Sequence, residues 1–437
     1  MTPVRGYSEM KDSGIEWVGE IPKHWQIKVL FQLATQVKNK NKDLVEKNLL
    51  SLSYGKIKRK NIEKSEGLLP ASFDGYNIIE ENDIVLRLTD LQNDHTSLRV
   101  GRTTERGIIT SAYVTIRPIN SNASKYLYYL LHSFDIKKGF YGMGAGVRQG
   151  LNFEEVKMLK IPVPPIEEQI SIAAYLDEKC SKIDEIIASA KASIEDYKQW
   201  KTSIIYEAVT KGLDPDAEMK DSGIEWIGKI PKGWKICKTL YALSMPITDG
   251  PHTTPELFDS GIPFISAEAV SCGNGKIDFS HKRGYISQEF YEECCQKYIP
   301  QFNDIYMIKS GATTGKVAMV DTDEVFTIWS PLAVFRVNND RVLPKYLFYY
   351  LQSDAYQKEV ELGWTYGTQQ NIGMRTLEKL KICMPPISVQ EKIVKYLDKN
   401  CIVVDNLIST KENLITDLES YKKSLIYEVV TGKRKVI

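Results

Sequence analysis

A chain of 437 residues, 43% hydrophobic and 26% charged, has the composition of a folded globular protein but is too long for one ordinary core, so two or more domains are expected. Seven cysteines with no CxxC pair, and five histidines with no two at metal-ligand spacing, speak against a disulfide framework or structural zinc and suit a reducing, cytoplasmic compartment. The net charge of +1 hides an asymmetry: Gln26–Lys160 carries 21 Lys+Arg against 14 Asp+Glu, whereas Lys235–Lys381 carries 15 against 17. The first segment thus has the charge of a nucleic-acid-binding patch, or simply of a solvated basic surface. No apolar run approaches the ~18–20 residues of a membrane span. The start, MTPVRGYSEMKDSG, lacks the apolar core of a signal peptide, so no membrane association is expected.

In chain order, residues 1–25 hold the phrase MKDSGIEWVGEIPKHW, Met10–Trp25. Residues 26–160 contain NDIVLRLTDLQND (Asn82–Asp94) and SLRVGRTTERGIITSAYVTIRP (Ser97–Pro118). Both alternate apolar and polar residues between Gly and Asn/Asp turns, which predicts strands. The aromatic run KYLYYLLHS (Lys125–Ser133) follows and reads as a helix. Residues 161–212 open on IPVPPIEEQI and continue as a long helix, and residues 213–234 form a linker. That linker repeats the opening phrase as MKDSGIEWIGKIPKGW, Met219–Trp234, with thirteen of sixteen positions identical. Residues 235–381 hold TDGPHTTP (Thr248–Pro255), IPFISAEAV (Ile262–Val270), NDIYMIKSGATTGKVAMV (Asn303–Val320), FTIWSPLAVFRV (Phe326–Val337) and the aromatic run KYLFYYLQS. Residues 382–437 supply a second long helix and the C-terminal tail.

The repeat extends well beyond the phrase. The phrases are offset by 209 residues and the aromatic runs by 220. IPVPPIEEQI and ICMPPISVQE, YLDEKC and YLDKNC, and SIIYEAVTKG and SLIYEVVTGK are all offset by 221. The chain is therefore a tandem duplication. Its offset drifts in the variable segments and holds after each PP pair, because loops accept insertions and a packed helix does not. There, apolar or small residues recur at steps of 3 and 4. They are Cys180, Ile183, Ile187, Ala190, Ile194, Tyr197, Ile204 and Ala208, then Cys401, Val404, Ile408, Ile415, Leu418, Leu425 and Val429. This is a coiled-coil seam, with Lys201, Lys411 and Lys422 in its gaps. Pro164-Pro165 and Pro385-Pro386 bar an earlier start, and Gly212 and Gly432 mark the stops.

If the two helices pack within one chain, connectivity makes them antiparallel. The expected fold class is α+β: two globular α/β domains joined by two long antiparallel helices as a coiled coil, a tandem internal repeat with pseudo-two-fold symmetry. The seam Cys180–Ala208 spans ~42 Å at ~1.5 Å per residue, a little more than the ~34–36 Å of one turn of B-DNA. It suits a spacer between two recognition surfaces, or a plain oligomerisation device. Trp17, Trp25, Trp226 and Trp234 are expected to anchor each phrase to a helix end.

Two different inserts on one repeated frame suit two different recognition surfaces. In the first segment the residue types suited to bases and phosphates are Arg87, Thr89, Asn93, Arg99, Arg102 and Arg106, with Arg148 and Gln149 in GAGVRQG. In the second they are His252, Thr253, Lys309, Thr313, Thr314 and Lys316, with Gln369, Gln370 and Asn371 in GTQQNIG. Arg pairs bidentately with guanine, and Gln or Asn with adenine, in the major groove.

No catalytic centre emerges. GATTGKVA (Gly311–Ala318) has three residues between its glycines where a P-loop has four, and Val317 stands where Ser or Thr would bind Mg²⁺. Asp135 with Glu155-x-Lys157 has a nuclease-like spacing that the second copy lacks. PVPP and CMPP lack the flanking residues of an adenine-methyltransferase [DN]PP[YF] motif, and no GxSxG is present. Catalytic residues and metal ligands are expected to be none.

The PP-Ile-x-x-Gln segments leading into long helices, the IEWIGKIPKGW phrase and the KSGATTGKVA stretch resemble the specificity (S, HsdS) subunits of bacterial type I restriction–modification systems, over essentially the whole chain. That resemblance implies that residues 26–160 and 235–381 are target recognition domains, each reading one half of an asymmetric, bipartite site in double-stranded DNA. It implies that the helices set the unread spacer and dock two modification (methyltransferase) subunits, with restriction subunits completing the complex. S-adenosylmethionine, ATP and Mg²⁺ would lie on those partners, none on this chain, and methylation would fall at adenine N6. Pro164, Pro165 and Gln169, with Pro385, Pro386 and Gln390, match the family's structural motif and are the expected helix and partner-docking residues. Glu168 keeps the acidic-Gln pair, whereas Val389 departs from it. The alternative is a coiled-coil scaffold or interaction protein without sequence-specific DNA binding.

Overall fold

The computed structural model describes residues 6–60, 72–91, 94, 96–143, 150–366 and 369–436, with Tyr366 described by its backbone only. The chain divides into two compact units, one of Met1–Lys191 with Glu412–Ile437, the other of Ala192–Lys411. Two helices dominate, Ile166–Lys211 and Ile387–Val430. Each unit therefore holds the leading part of one long helix and the trailing part of the other.

Both long helices begin immediately after their PP pair. Proline fixes φ and lacks an N–H, so it sits well at a position whose N–H has no helical partner. Glu167 and Glu168 in the first turn of Ile166–Lys211 face the positive end of the helix dipole. Gly212 and Gly432, at φ +80° and +73°, follow the last helical turns in the left-handed conformation that an unstrained chain reversal there requires. A Cβ on Gly432 would stand 2.2 Å from Pro22 Cδ. Close packing of the N-terminal phrase thus imposes a second demand for glycine there.

In the first unit a four-stranded antiparallel sheet has the spatial order Ala34–Gln36, Val114–Pro118, Ile84–Leu86, Val100–Arg102. In the second it runs Thr248–Asp249, Leu332–Phe335, Ile305–Ile308, Val317–Met319. In chain order both are first, fourth, second, third, so two segments that hardly match in sequence share one topology. The same buried pair reinforces each sheet. The Arg117 guanidinium donates to the buried Asp83 carboxylate at 2.7 and 2.8 Å, and that of Arg336 to buried Asp304 at 2.8 and 2.7 Å. The residue before each aspartate, Asn82 or Asn303, turns the chain at positive φ, which asparagine tolerates better than most residues.

Each variable segment is closed by pairing its own ends. Gln26–Val29 lies antiparallel to Lys160–Val163, and Lys235–Lys238 to Lys381–Met384, in equivalent register. The phrases are matching hairpins, Met10–Asp12 with Glu20–Pro22 and Met219–Asp221 with Lys229–Pro231. The aromatic runs are the helices Ser124–Ile136 and Pro344–Gln352, which bury Tyr126, Leu127, Tyr129, Leu130 and Leu131, or Tyr346, Leu347, Tyr349, Tyr350 and Leu351. At roughly 1.5–3 kcal/mol for each large apolar side chain fully buried, these helices are principal fasteners of their units.

The units differ in what is added. The first has the hairpin Leu50–Ser53/Lys56–Arg59 and the pair Asn77–Ile79/Gly107–Ile109. The second has a three-stranded sheet of Gly284–Ile286, Ile262–Ile265 and Thr327–Ile328, the last pair parallel, and the helix Gln288–Lys297. Among the described residues no helix is long and apolar enough to cross a membrane.

The tryptophans lie where each phrase meets a helix end. In the first unit Trp25 is fully buried, and the Trp17 carbonyl accepts from the Tyr427 hydroxyl at 3.1 Å. Tyr126 donates to the carbonyls of Pro162 and Val430, so the trailing end of one long helix stands beside the strand that leads into the other. In the second unit Trp234 is buried, the Trp226 carbonyl accepts from Tyr206 at 2.8 Å, and Tyr346 donates to the carbonyls of Cys383 and Val209. Asp184 pairs with Lys422 in the first unit and Asp405 with Lys201 in the second, each through both carboxylate oxygens at 2.6–2.7 Å. Lys201 and Lys422, two of the three lysines that interrupt the apolar seam, are thus neutralised on the facing helix.

Candidate nucleic-acid interface

In the second unit three separated stretches converge. The loop after Ile305–Ile308 folds back on itself: Gly315 N–H donates to Ile308 O at 2.8 Å, and the Thr314 hydroxyl to Gly311 O at 2.7 Å. The neighbouring Gln370–Asn371 strand then docks on it. Gly311 N–H donates to Gln370 O at 3.0 Å, and Ile372 N–H to Lys309 O at 2.9 Å. The TDGPHTTP stretch joins through Asp249, whose carboxylate is 1% exposed. Lys297 contacts one of its oxygens, while His252 at 3.1 Å and Lys309 at 3.3 Å share the other. Burial pushes the Asp249 pKa up, but the hydrogen bonds and charges of Lys297 and Lys309 outweigh this and hold it below the usual carboxylate value.

This ladder connects Lys309, Thr314, Gln370 and Asn371 directly, and His252 through Asp249. Thr313 and Lys316 lie on the same loop, Gln369 and Thr253 on the same exposed margins. Its chemistry is that of a polar, cation-bearing surface with side-chain amides, able to meet phosphates and base edges. The tight GATTGK loop spends the Lys316 N–H on Thr313 O and the Gly315 N–H on Ile308 O. Those amides are thereby withdrawn from any phosphate-cradling role.

The first unit corrects several expectations. Arg99 is fully buried, not a surface contact. Its guanidinium donates to Arg87 O at 3.1 Å, Thr89 O at 2.7 Å, Asp90 O at 3.2 Å, Asp94 O at 2.5 Å and the Tyr141 hydroxyl at 2.9 Å. It ties down the backbone at residues 87, 89, 90 and 94. Thr89 contributes a carbonyl to that knot, and Arg87 lies 3.6 Å from the Asp94 carboxylate. Arg102 donates to the Asn82 side chain, and Arg106 pairs with Glu46 and Glu80. Asn93, Arg148 and Gln149 lie outside the described residues.

The nuclease-like triplet does not assemble. Asp135 is buried, accepts from the Arg99 backbone at 2.6 Å, and is raised to about 6 by burial. Glu155 caps its own short helix by accepting from Asn152 N–H at 2.7 Å, and Lys157 pairs with Glu154. Among the described residues no three His, Cys, Asp or Glu groups are placed to hold a metal ion.

The PP-x-x-x-Gln residues also differ from a docking surface. Gln169 and Gln390 are buried. Gln169 Nε2 donates to Pro164 O at 2.8 Å, and Gln390 Nε2 to Pro385 O at 2.9 Å. Gln390 Oε1 also accepts from Leu343 N–H at 2.9 Å, fastening the start of the aromatic helix. The glutamines are internal clamps because their amides satisfy the buried proline carbonyls that lie just before each helix. Pro164 and Pro385 are likewise buried, whereas Pro165 and Pro386 are exposed.

Sequence reasoning missed Glu168 as a hub. Its buried carboxylate accepts from Tyr7, from Trp25 Nε1 at 3.2 Å, and meets His24 Nε2 at 2.8 Å. The second copy has Gly233 in place of His24 and Val389 in place of Glu168. Donor and acceptor disappear together, and that paired change was the available signal.

Residues 22–196 and 251–420 match the family model described as the type I restriction modification DNA specificity domain. The type I restriction enzyme MjaVIII specificity subunit of Methanocaldococcus jannaschii is 26% identical over 366 residues, spanning 82% of this chain and 80% of that protein. The putative MjaX specificity subunit of the same organism is 26% identical over 435 residues, 96% of each. A solved structure described as the structural basis of complex assembly and conformational transition of the type I R-M system shares the fold, with a TM-score of 0.67 at 18% identity over 94% of this chain and 98% of its own. With both halves matched, the chain belongs to the type I restriction modification DNA specificity domain family.

Proposed function

We infer that this chain is the DNA sequence-specificity subunit of a type I restriction–modification complex. The observation that carries the reading is duplication of the frame with divergence of its inserts. Both units have the same sheet topology, end pairing and phrase hairpin, yet different loops at matching positions. Residues 26–160 and 235–381 act as target recognition domains, each reading one half of an asymmetric bipartite site. The polar surface around Lys309, Thr314, Gln370 and Asn371 reads the half assigned to the second unit.

The two long helices act as an antiparallel coiled coil that sets the unread spacer and carries two methyltransferase subunits; restriction subunits complete the assembly in the bacterial cytoplasm. The chain itself is non-catalytic, and S-adenosylmethionine, ATP and Mg²⁺ belong to the partners. The Asp184–Lys422 and Lys201–Asp405 pairs support the antiparallel pairing within each unit.

Exchanging residues 26–155 for those of a relative tests the modular reading. One half of the methylated sequence is expected to change while the other stays. A change in both halves or in neither contradicts it. Adding one heptad to both helices is expected to alter the spacer or abolish activity, and an active complex with an unchanged spacer opposes the ruler.

A further inference from the structure

In the second unit a polar pocket of about 310 Å³ opens beside the GATTGK loop. Its walls come from the short helix Ala267–Cys272 and its following turn, the Thr314–Val317 segment, and the aromatic helix. Three donor-bearing side chains line it: exposed Lys316, exposed Asn274 and Gln352. Gln352 Nε2 is enclosed by protein and has no hydrogen-bond partner among the described residues. A buried amide left in that state costs about 1–3 kcal/mol, so its retention points to an acceptor supplied from outside.

The lining identifies the acceptor's chemistry. None of its ten residues is acidic, and its one charge is Lys316. Among the described residues Lys316 makes only a long 3.4 Å contact, with the Ser271 carbonyl. The other candidate donors are occupied. Gln357 Nε2 donates to Gly315 O and Leu351 O, the Thr314 hydroxyl to Gly311 O, and Ser271 to Glu268 O. What remains is one cation and two amide donors around an open polar recess, a set suited to an oxyanion rather than a carbonyl or an apolar group.

We propose that this pocket is a phosphodiester subsite, in which one backbone phosphate of the bound DNA sits against Lys316, Asn274 and Gln352. The proposal rests on the DNA-specificity reading and names where that surface grips the strand. A phosphate contact fixes register without carrying sequence information, so the pocket positions the neighbouring Gln370–Asn371 strand over the bases.

The test uses the chain assembled with its methyltransferase subunits, titrated against a fluorescent duplex carrying the methylated site and against a scrambled duplex, from 50 to 200 mM salt. Lys316→Ala is expected to weaken both duplexes by the same factor, to lower the slope of log K against log salt by about 0.9, and to leave the methylated sequence unchanged. Gln352→Leu, which removes the unpartnered amide without breaking any hydrogen bond, is expected to retain thermal stability and weaken binding. An unchanged slope in Lys316→Ala, or a changed methylated sequence, overturns the proposal. ATP binding by the wild-type complex that Lys316→Ala abolishes while the DNA slope stays intact assigns the pocket to a free nucleotide phosphate and also overturns it. A wild-type complex with no preference between the two duplexes refutes the underlying reading instead, and the two failures are distinct.

Discussion

Replacing Arg99 separates a structural arginine from a DNA contact. Its five side-chain hydrogen bonds tie residues 87, 89, 90 and 94 to Tyr141. Hydrogen bonds to a charged group each contribute about 1.5–3 kcal/mol, but the bonds of one side chain are not additive. Truncation also leaves a cavity, whereas removing the charge itself relieves a desolvation cost. Arg99→Ala should therefore destabilise the first unit by about 3–5 kcal/mol, a large part of a typical domain's 5–15 kcal/mol. Arg99→Lys keeps the charge but loses the planar fork, and should fall between Ala and wild type. Urea unfolding followed by fluorescence, with DNA titrated below the unfolding midpoint, reads both quantities. The expected result is a lowered midpoint with binding lost only as the unit unfolds. A variant of wild-type stability that has lost DNA affinity would refute the burial argument and restore Arg99 as a contact.

His132 is half-buried with its Nδ1 enclosed, and it is lowered to about 4, first by desolvation and then by the charge of Lys422. A base depressed in the folded state binds its proton in the unfolded chain first, so its contribution is present above pH 6.5 and is lost as pH falls toward 4. Between pH 7 and pH 5 this amounts to about 2 kcal/mol of destabilisation. His132→Gln, the residue found at the matching position 352, should remove that part of the acid sensitivity, measured as the difference between unfolding midpoints at the two pH values. Asp249→Asn should cost the second unit about 1–2 kcal/mol, discounted because Lys297 is half-exposed. It should also weaken DNA binding by freeing Lys309 and His252; unaltered stability and affinity would contradict its anchoring role. Glu168→Val together with His24→Gly, the residues found at matching positions in the second half, should be better tolerated than Glu168→Val alone, compared by thermal unfolding. Equal losses would show that the two groups are not coupled.

The repetitive parts were legible in the sequence because repetition supplies its own alignment. The PP pairs, the apolar seam, the stop glycines and the tryptophan anchors all follow from constant offsets and helical period. The shared sheet topology was harder to see, since sheets are built from contacts distant in the chain. Its trace was NDI at Asn82 and again at Asn303, with an arginine late in each segment at Arg117 and Arg336. Individual site residues were least legible. Arg99 and Arg102 look alike in SLRVGRTTERG, yet Arg99 is enclosed by Tyr141 and the carbonyls of residues 87, 89, 90 and 94, partners that no local pattern reveals. Gln169 and Gln390 were recognised as motif residues, but only their buried hydrogen bonds to proline carbonyls show that the motif serves folding.

Adenine methylation mapped across the genome of a strain carrying this gene, and of the same strain without it, is the sharpest test of this chain as a bipartite-site specificity subunit. The expected result is one asymmetric motif, two short specified halves flanking an unspecified spacer, methylated only when the gene is present. An unchanged methylation pattern, or loss of a continuous motif with no spacer, would contradict it.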